Sequence, residues 1–372
     1  CSVYHPHVGG VETTVRELAG CLRRSGIAAT ILTKRFPLDL PDLETVAGVP
    51  VYRFVRPREH AEYGRVRVWL RRHLAALRAD LVHVVGVRRP MPIFGLWLAK
   101  LWRAPCLMTF AGGDLPDAND LDSVTIWRES RATVPPAVRR ADGWSAFSRA
   151  TAARAAEVLG VRPIHVIRGG LNLAAIARAP RHRSPYPYFF TARRLTRAKG
   201  IDVLIEAFRR VAATLPRHHL LIAGDGPVRP ALVRQVKRQR LDERVRFVGE
   251  LHQRDVFSYL KGAVAHVCPS RAESGGLINF EAQAAGCLAI GSTAGGIAEY
   301  IAAQRTGLLF KLGDANDLAE KLLLAAKDSP EIRGIKRRAR AAVAPYDWST
   351  FARRYRQLYE QQLIGYDGEH RA

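Results

Sequence analysis

AHVCPSRAESGGLINFEAQAAGCLAIGST, residues 265–293, is the stretch on which the fold of this 372-residue chain turns. Two apolar runs, AHVCPS (265–270) and CLAIGST (287–293), read as strands, and ESGG (273–276) opens a helix between them. A strand, a helix and another strand in succession is the crossover that joins parallel strands. On that helix each residue advances about 100°. Leu277, Ile278, Ala284 and Ala285 then share an apolar arc with Glu281 near its middle, while Asn279 and Gln283 point the other way. A carboxylate on the arc expected to be buried calls for a partner.

The same alternation runs outward in both directions. Upstream, strands are expected at 28–33, 51–55, 80–85, 105–110, 143–148 and 164–169, with helical patterns between them such as ETTVRELAGCLRRSG (12–26). After the Pro- and Arg-rich passage RAPRHRSPYP (178–187), strands follow at 188–194, 219–224 and 245–249, ahead of the opening stretch. This pattern predicts an α/β protein of two Rossmann-like domains, 1–175 and 185–347, facing each other across a cleft. The last helical run, within 348–364, directs Phe351, Tyr355 and Leu358 inward and is expected to pack back on the first domain. The chain starts at Cys1 with no apolar strand before Val3, so a first strand of the N-terminal domain is expected to be missing.

Composition narrows the function. The formal net charge is +24, carried mostly by arginine spread along the chain, which implies an anionic partner. No zinc-finger spacing or RNA-binding aromatic motif accompanies it, so nucleic acid is disfavoured. Five scattered cysteines without a CxxC pair favour reduced thiols and a cytoplasmic setting. The longest apolar run, MPIFGLWLAKLW (91–102), is too short to span a bilayer. His5 and His7 stand in HPH without further ligands nearby, so no metal site is expected.

Four loops have the character of ligand loops at the ends of doubly wound strands: HVGG (7–10), RRLTRAKG (193–200), ESGG (273–276) and TAGGIAE (293–299). Helix N-termini with Arg194 and Lys199 beside them suit a diphosphate. In this order, and together with TFAGGD (109–114), GDGPVR (224–229) and a Glu-x7-Glu pair at Glu273 and Glu281, the loops resemble the retaining GT-B glycosyltransferases of family 4, the group 1 type. The resemblance covers nearly the whole chain. It implies transfer of a hexose-type sugar from a UDP- or GDP-linked donor to a hydroxyl acceptor with retention, with no cofactor and no metal. The acceptor would be a surface polysaccharide, a glycolipid or a small natural product, and a lipid-linked one would place the enzyme peripherally at the inner face of the membrane.

By the same resemblance, Glu273 meets the transferred sugar and Glu281 holds the ribose hydroxyls, which would answer for the carboxylate on the apolar arc. Arg194 and Lys199 bind the diphosphate and, with Glu273, form the catalytic set. Gly9, Gly10, Gly275, Gly276 and Leu277 bring backbone to the donor, and His7 and Asp114 lie on the acceptor side. Two departures stand out. Ala111 occupies a position where the family often has His, and Gly275 one where it commonly has Phe, leaving space in the sugar pocket. The rival reading is a basic membrane- or nucleic-acid-binding protein without transferase activity, in which Val66, Trp69, Leu70 and Leu77 of RVRVWLRRHLAALR (65–78) would face lipid.

Overall fold

The computed structural model describes residues 1–7, 9–55, 57 and 62–371. They form two compact units. One comprises Cys1–Pro116, Asp122–Gly170 and the chain from Trp348 onward; the other comprises Leu171–Asp347 with the short piece Asp117–Leu121.

The first unit carries strands β1 (Ile31–Lys34), β2 (Leu43–Val46), β3 (Val49–Phe54), β4 (Val82–Val85), β5 (Cys106–Phe110), β6 (Gly143–Ala146) and β7 (Ile164–Val166). They make a sheet of order β1-β3-β2 and an all-parallel sheet of order β4-β5-β6-β7. The pair β2–β3 is antiparallel, an exception to the parallel pattern and a strand the sequence reading missed. Its hairpin turns at Ala47 and Gly48, both with positive φ (49° and 79°), the backbone that a two-residue hairpin loop requires.

The helix Tyr63–Arg72 buries Val66 and Leu70, and Trp69 packs against Phe54 and His73. These residues, with Leu77, belong to the first unit's core, so they do not form the lipid-facing stripe of the rival reading. The exposed residues there are Gly64, Arg65, Arg67, Val68, Arg71 and Arg72. The final helix, Trp348–Arg371, closes over the parallel sheet with Phe351, Tyr355 and Leu358 buried. Beneath it runs a satisfied polar chain. Tyr359 Oη is 2.7 Å from His83 Nδ1, His83 Nε2 is 2.6 Å from Thr109 Oγ1, and Tyr355 Oη is 3.2 Å from Ser145 Oγ. Burial holds His83 neutral, its pKa lowered to about 3.

The second unit is one parallel sheet built from β8 (Tyr188–Ala192), β9 (His219–Ala223), β10 (Val245–Gly249), β11 (Ala265–Cys268), β12 (Leu288–Ser292) and β13 (Leu308–Phe310). Its order is β10-β9-β8-β11-β12-β13. The chain therefore winds outward from β8 to β10, returns to the other side of β8 at β11, and winds outward again. The crevice between the β8 and β11 loops is the topological switch point, where ligands collect in open α/β sheets. Both faces are covered, which explains the near-continuous apolar strands: Phe189 points to the helix Ile201–Val211, and Phe190 to a second core containing Phe257, Phe280 and Tyr300.

Candidate active site

The loops that leave β8, β9, β11 and β12 lock together through glycines. Gly200 has φ +64°, and a Cβ there would stand 2.0 Å from the Pro269 carbonyl oxygen. Gly295, at φ +50°, would place one 2.0 Å from the Glu273 carbonyl oxygen, which also accepts from Gly296 N–H at 3.0 Å. Only glycine supplies both this backbone region and this closeness. The result is a tight rim of backbone around Glu273.

Glu273 is the electrostatic centre of that rim. Its Oε2 accepts from the Arg193 guanidinium, from Lys199 Nζ at 3.0 Å and from Ser270 Oγ at 3.3 Å. Burial by itself would raise its pKa, but Lys199 and Arg193 outweigh that penalty and hold the carboxyl near 2. The ion pair with Arg193 was not anticipated. The sequence reading placed Arg194 in the catalytic set, yet Arg194 is exposed, whereas the Arg193 side chain is 7 % exposed and is the one that reaches Glu273. Adjacent residues at a strand end face opposite ways, so one arginine of the pair must turn in and the other out. The dipeptide alone does not say which.

The helix Leu277–Ala284 starts at Gly276, whose φ of +74° makes it a left-handed N-cap. Its orientation overturns the expected faces. Asn279, Phe280, Ala282, Gln283 and Ala284 are buried, and the arc of Leu277, Ile278 and Glu281 is the more accessible one. Phe280 explains the choice, because its ring packs on Tyr300 and Tyr346 at 4.4 and 4.7 Å between centroids. Gln283 is satisfied in the interior by donating to the Tyr300 carbonyl at 2.8 Å. Glu281 accepts from Gln253 Nε2 at 3.2 Å, and burial pushes its pKa up to about 7 against that hydrogen bond. The apolar neighbours of Glu281 thus line an accessible arc, which is why a carboxylate is tolerated among them.

Gly275 leaves no vacant space. A Cβ there would lie 2.7 Å from the Tyr300 ring, so Tyr300, itself 3 % exposed, fills the volume expected to be open.

In the first unit, Gly9 caps the helix Gly10–Arg24 in extended backbone, and a Cβ on Gly10 would meet nothing within 4 Å. His7 is exposed, and Val8 of the same loop lies outside the described residues. Asp114 is buried and occupied: its Oδ2 accepts from Ala111 N–H at 2.7 Å and Val87 N–H at 3.1 Å, and Arg88 lies 3.6 Å from Oδ1. Burial raises its pKa to about 6 against those three groups. It ties the β4 and β5 loops together through their backbone N–H groups. Ala111 enters the same knot through its N–H.

Residues 8–175 match the family model described as Glycosyltransferase Family 4, and residues 174–342 the one described as Glycosyl transferases group 1. The chain is 30 % identical over 291 residues to the glycogen synthase of Mycobacterium tuberculosis, spanning 76 % of this chain and 69 % of that one. It is 25 % identical over 368 residues to the phosphatidyl-myo-inositol mannosyltransferase of Mycobacterium leprae, covering 95 % and 93 %. Among solved structures, Anabaena Alr3699/HepE in complex with UDP-glucose superposes with a TM-score of 0.77 at 19 % identity, over 96 % of this chain and 98 % of that one.

Proposed function

Given that the chain belongs to the group 1 glycosyl transferases and has the GT-B fold, we propose that it moves a hexose-type sugar from a UDP- or GDP-linked donor to a hydroxyl acceptor. The transfer retains the anomeric configuration and uses no metal. The observation that carries this reading is the cluster at the β8–β11 switch point: Glu273 paired with Lys199, the helix that Gly276 caps, and Glu281 about one turn along it.

Each group has work that suits its place. Lys199, 26 % exposed, and the exposed Arg194 offer positive charge to a diphosphate. The N–H groups of Gly276 and Leu277 add the helix terminus to the same anion. Glu281, half-buried among Leu277 and Ile278, accepts from ribose hydroxyls, and Glu273 from hydroxyls of the sugar. As the bond from the anomeric carbon to phosphate breaks, negative charge grows on the leaving oxygen beside Lys199. The acceptor oxygen bonds to the anomeric carbon on the same face and passes its proton to that leaving oxygen. Stabilisation of this charge by the neighbouring cation contributes about tenfold in rate per 1.4 kcal/mol.

A polysaccharide or lipid-linked acceptor is supported by the relatives, one a glycogen synthase and one acting on phosphatidyl-myo-inositol by its name. No helix among the described residues is long and apolar enough to cross a membrane. A lipid-linked acceptor would be met at the inner membrane face through the exposed arginines of the helix Tyr63–Arg72.

The test is a calorimetric and thermal-shift panel of nucleotide sugars, followed by product analysis. One donor should bind in the micromolar to millimolar range and yield an α-linked product from an α-linked donor, with chelator present. Lys199→Ala and Glu281→Ala should each weaken donor binding about tenfold or more with the fold intact. Unchanged turnover in both variants, or an inverted product, would overturn the assignment.

A further inference from the structure

We propose that Arg193 is the permanent counter-ion of Glu273, a positioning residue that holds this carboxylate in place while Lys199 is released to an incoming diphosphate. The proposal rests on the donor site described above and divides the labour of its two inner cations.

All three protein donors to Glu273 gather on Oε2, and Oε1 accepts no bond from the described residues. The carboxylate is thus held at one oxygen with the other left for a ligand hydroxyl. Of the two cations on Oε2, only Lys199 can leave. Its side chain is 26 % exposed on a flexible stem at the end of the turn Arg197–Lys199.

Arg193 is held at both Nη atoms and along its backbone. Its Nη1 lies 2.8 Å from Cys268 Sγ, its Nη2 bonds Glu273, and its Nε is buried without a partner. Its backbone N–H donates to the Ala223 carbonyl at 3.0 Å, and a Cβ on Gly224 would stand 2.0 Å from its own carbonyl oxygen. A guanidinium so enclosed cannot reach a phosphate and acts through Glu273.

The need for a second cation follows from charge. Once Lys199 turns to the diphosphate, Glu273 would be a buried carboxylate beside new negative charge, a state that favours protonation or displacement. Arg193 prevents both. The charged and titratable groups facing the pair are Lys199 from the β8 loop, Cys268 at the end of β11, and His266 inside β11, which burial, with Arg193 a lesser cause, keeps neutral.

The test compares Arg193→Met, Arg193→Lys, Lys199→Met and the double variant Arg193→Met/Glu273→Gln. Without ligand, Arg193→Met should lower the thermal midpoint at pH 7 by about 5 °C or more, and the double variant should recover most of it, since the carboxylate left with Lys199 as its one cation is removed as well. With UDP and GDP as probes, Arg193→Met should bind more weakly, because Lys199 then stays with Glu273, and the double variant should return to within about threefold of wild type, while Lys199→Met loses about tenfold or more. At saturating donor, Arg193→Met should lower kcat by about a hundredfold and move the acid limb of its pH profile up by about one unit or more, with partial rescue by Arg193→Lys. If Arg193→Met does not fold, the double variant carries the same nucleotide measurement. Loss of nucleotide affinity in the double variant as steep as in Lys199→Met, or a double variant no more stable than the single one, would overturn the proposal. Should the wild-type protein bind neither UDP nor GDP, the proposed function fails, while the ligand-free stability comparison still decides whether Arg193 serves Glu273.

Discussion

At the scale of single residues, the two motif carboxylates are driven in opposite directions. Glu273 sits well below the ordinary 4.5, because Lys199 and Arg193 overcome its burial. The stability it contributes is present above about pH 4.5 and is lost as pH falls toward 2. Glu281 has the reverse sign: burial raises it from 4.5 to about 7, so folding is progressively opposed as pH rises through that window. Glu281→Gln should therefore raise stability at pH 7.5 by on the order of 2 kcal/mol and flatten its dependence between pH 5 and 8, measured by denaturant unfolding. The same variant should weaken nucleotide binding, because an amide replaces one acceptor by a donor facing hydroxyls. A stabilised variant with undiminished nucleotide affinity would remove Glu281 from the ribose.

At the scale of elements, the helix Leu277–Ala284 and the rim around it are held by shape. Gly275 and Tyr300 share one volume, so Gly275→Phe should destabilise by about 1–3 kcal/mol, and adding Tyr300→Ala should recover most of the loss in thermal unfolding. Gly295→Ala attacks the rim differently. Its Cβ would press on the Glu273 carbonyl, so turnover should fall by about tenfold or more even where circular dichroism is unchanged. The helix itself shows what a sequence can and cannot display. Its place after β11 and its opening at the glycines are legible from punctuation, but its rotation is not. Leu277, Ile278 and Ala285 form an arc as apolar as the opposite one, and the packing of Phe280 against Tyr300 and Tyr346 decides between them. The arginine pair repeats the lesson, since Arg193 and Arg194 are identical in type and differ only in facing.

At the scale of the whole molecule, the chain ends in the unit where it began. The final helix lies over β4, β5 and β6, with Tyr359 bonded to His83 and Tyr355 placed over Thr109 and Ser145. Deleting residues 348–372 would uncover that sheet and orphan a buried histidine, so the first unit should unfold, read as lost hydrogen-exchange protection in β4–β6. Tyr359→Phe alone should cost about 1–3 kcal/mol. The net charge of +24 also belongs to this scale. The arginines of the helix Tyr63–Arg72 face solvent while Val66, Trp69 and Leu70 serve the core, so binding to anionic vesicles should be electrostatic. Arg67→Glu/Arg71→Glu should weaken it, and 0.5 M salt should abolish it. Binding that persists in salt would point instead to inserted apolar side chains.

The order of apolar runs, prolines and glycines was enough to specify an α/β chain of two units, because secondary-structure period and turn chemistry are local properties written residue by residue, and the loop motifs with the Glu273/Glu281 pair carried the resemblance to the family. The hairpin β2–β3, the short strand β13, the inward turn of Arg193, the knot around Asp114 and the ring under Gly275 became visible only in three dimensions. Each depends on which distant side chain occupies a shared volume or neutralises a buried charge, and such a contest is decided by packing between segments that are far apart in the chain.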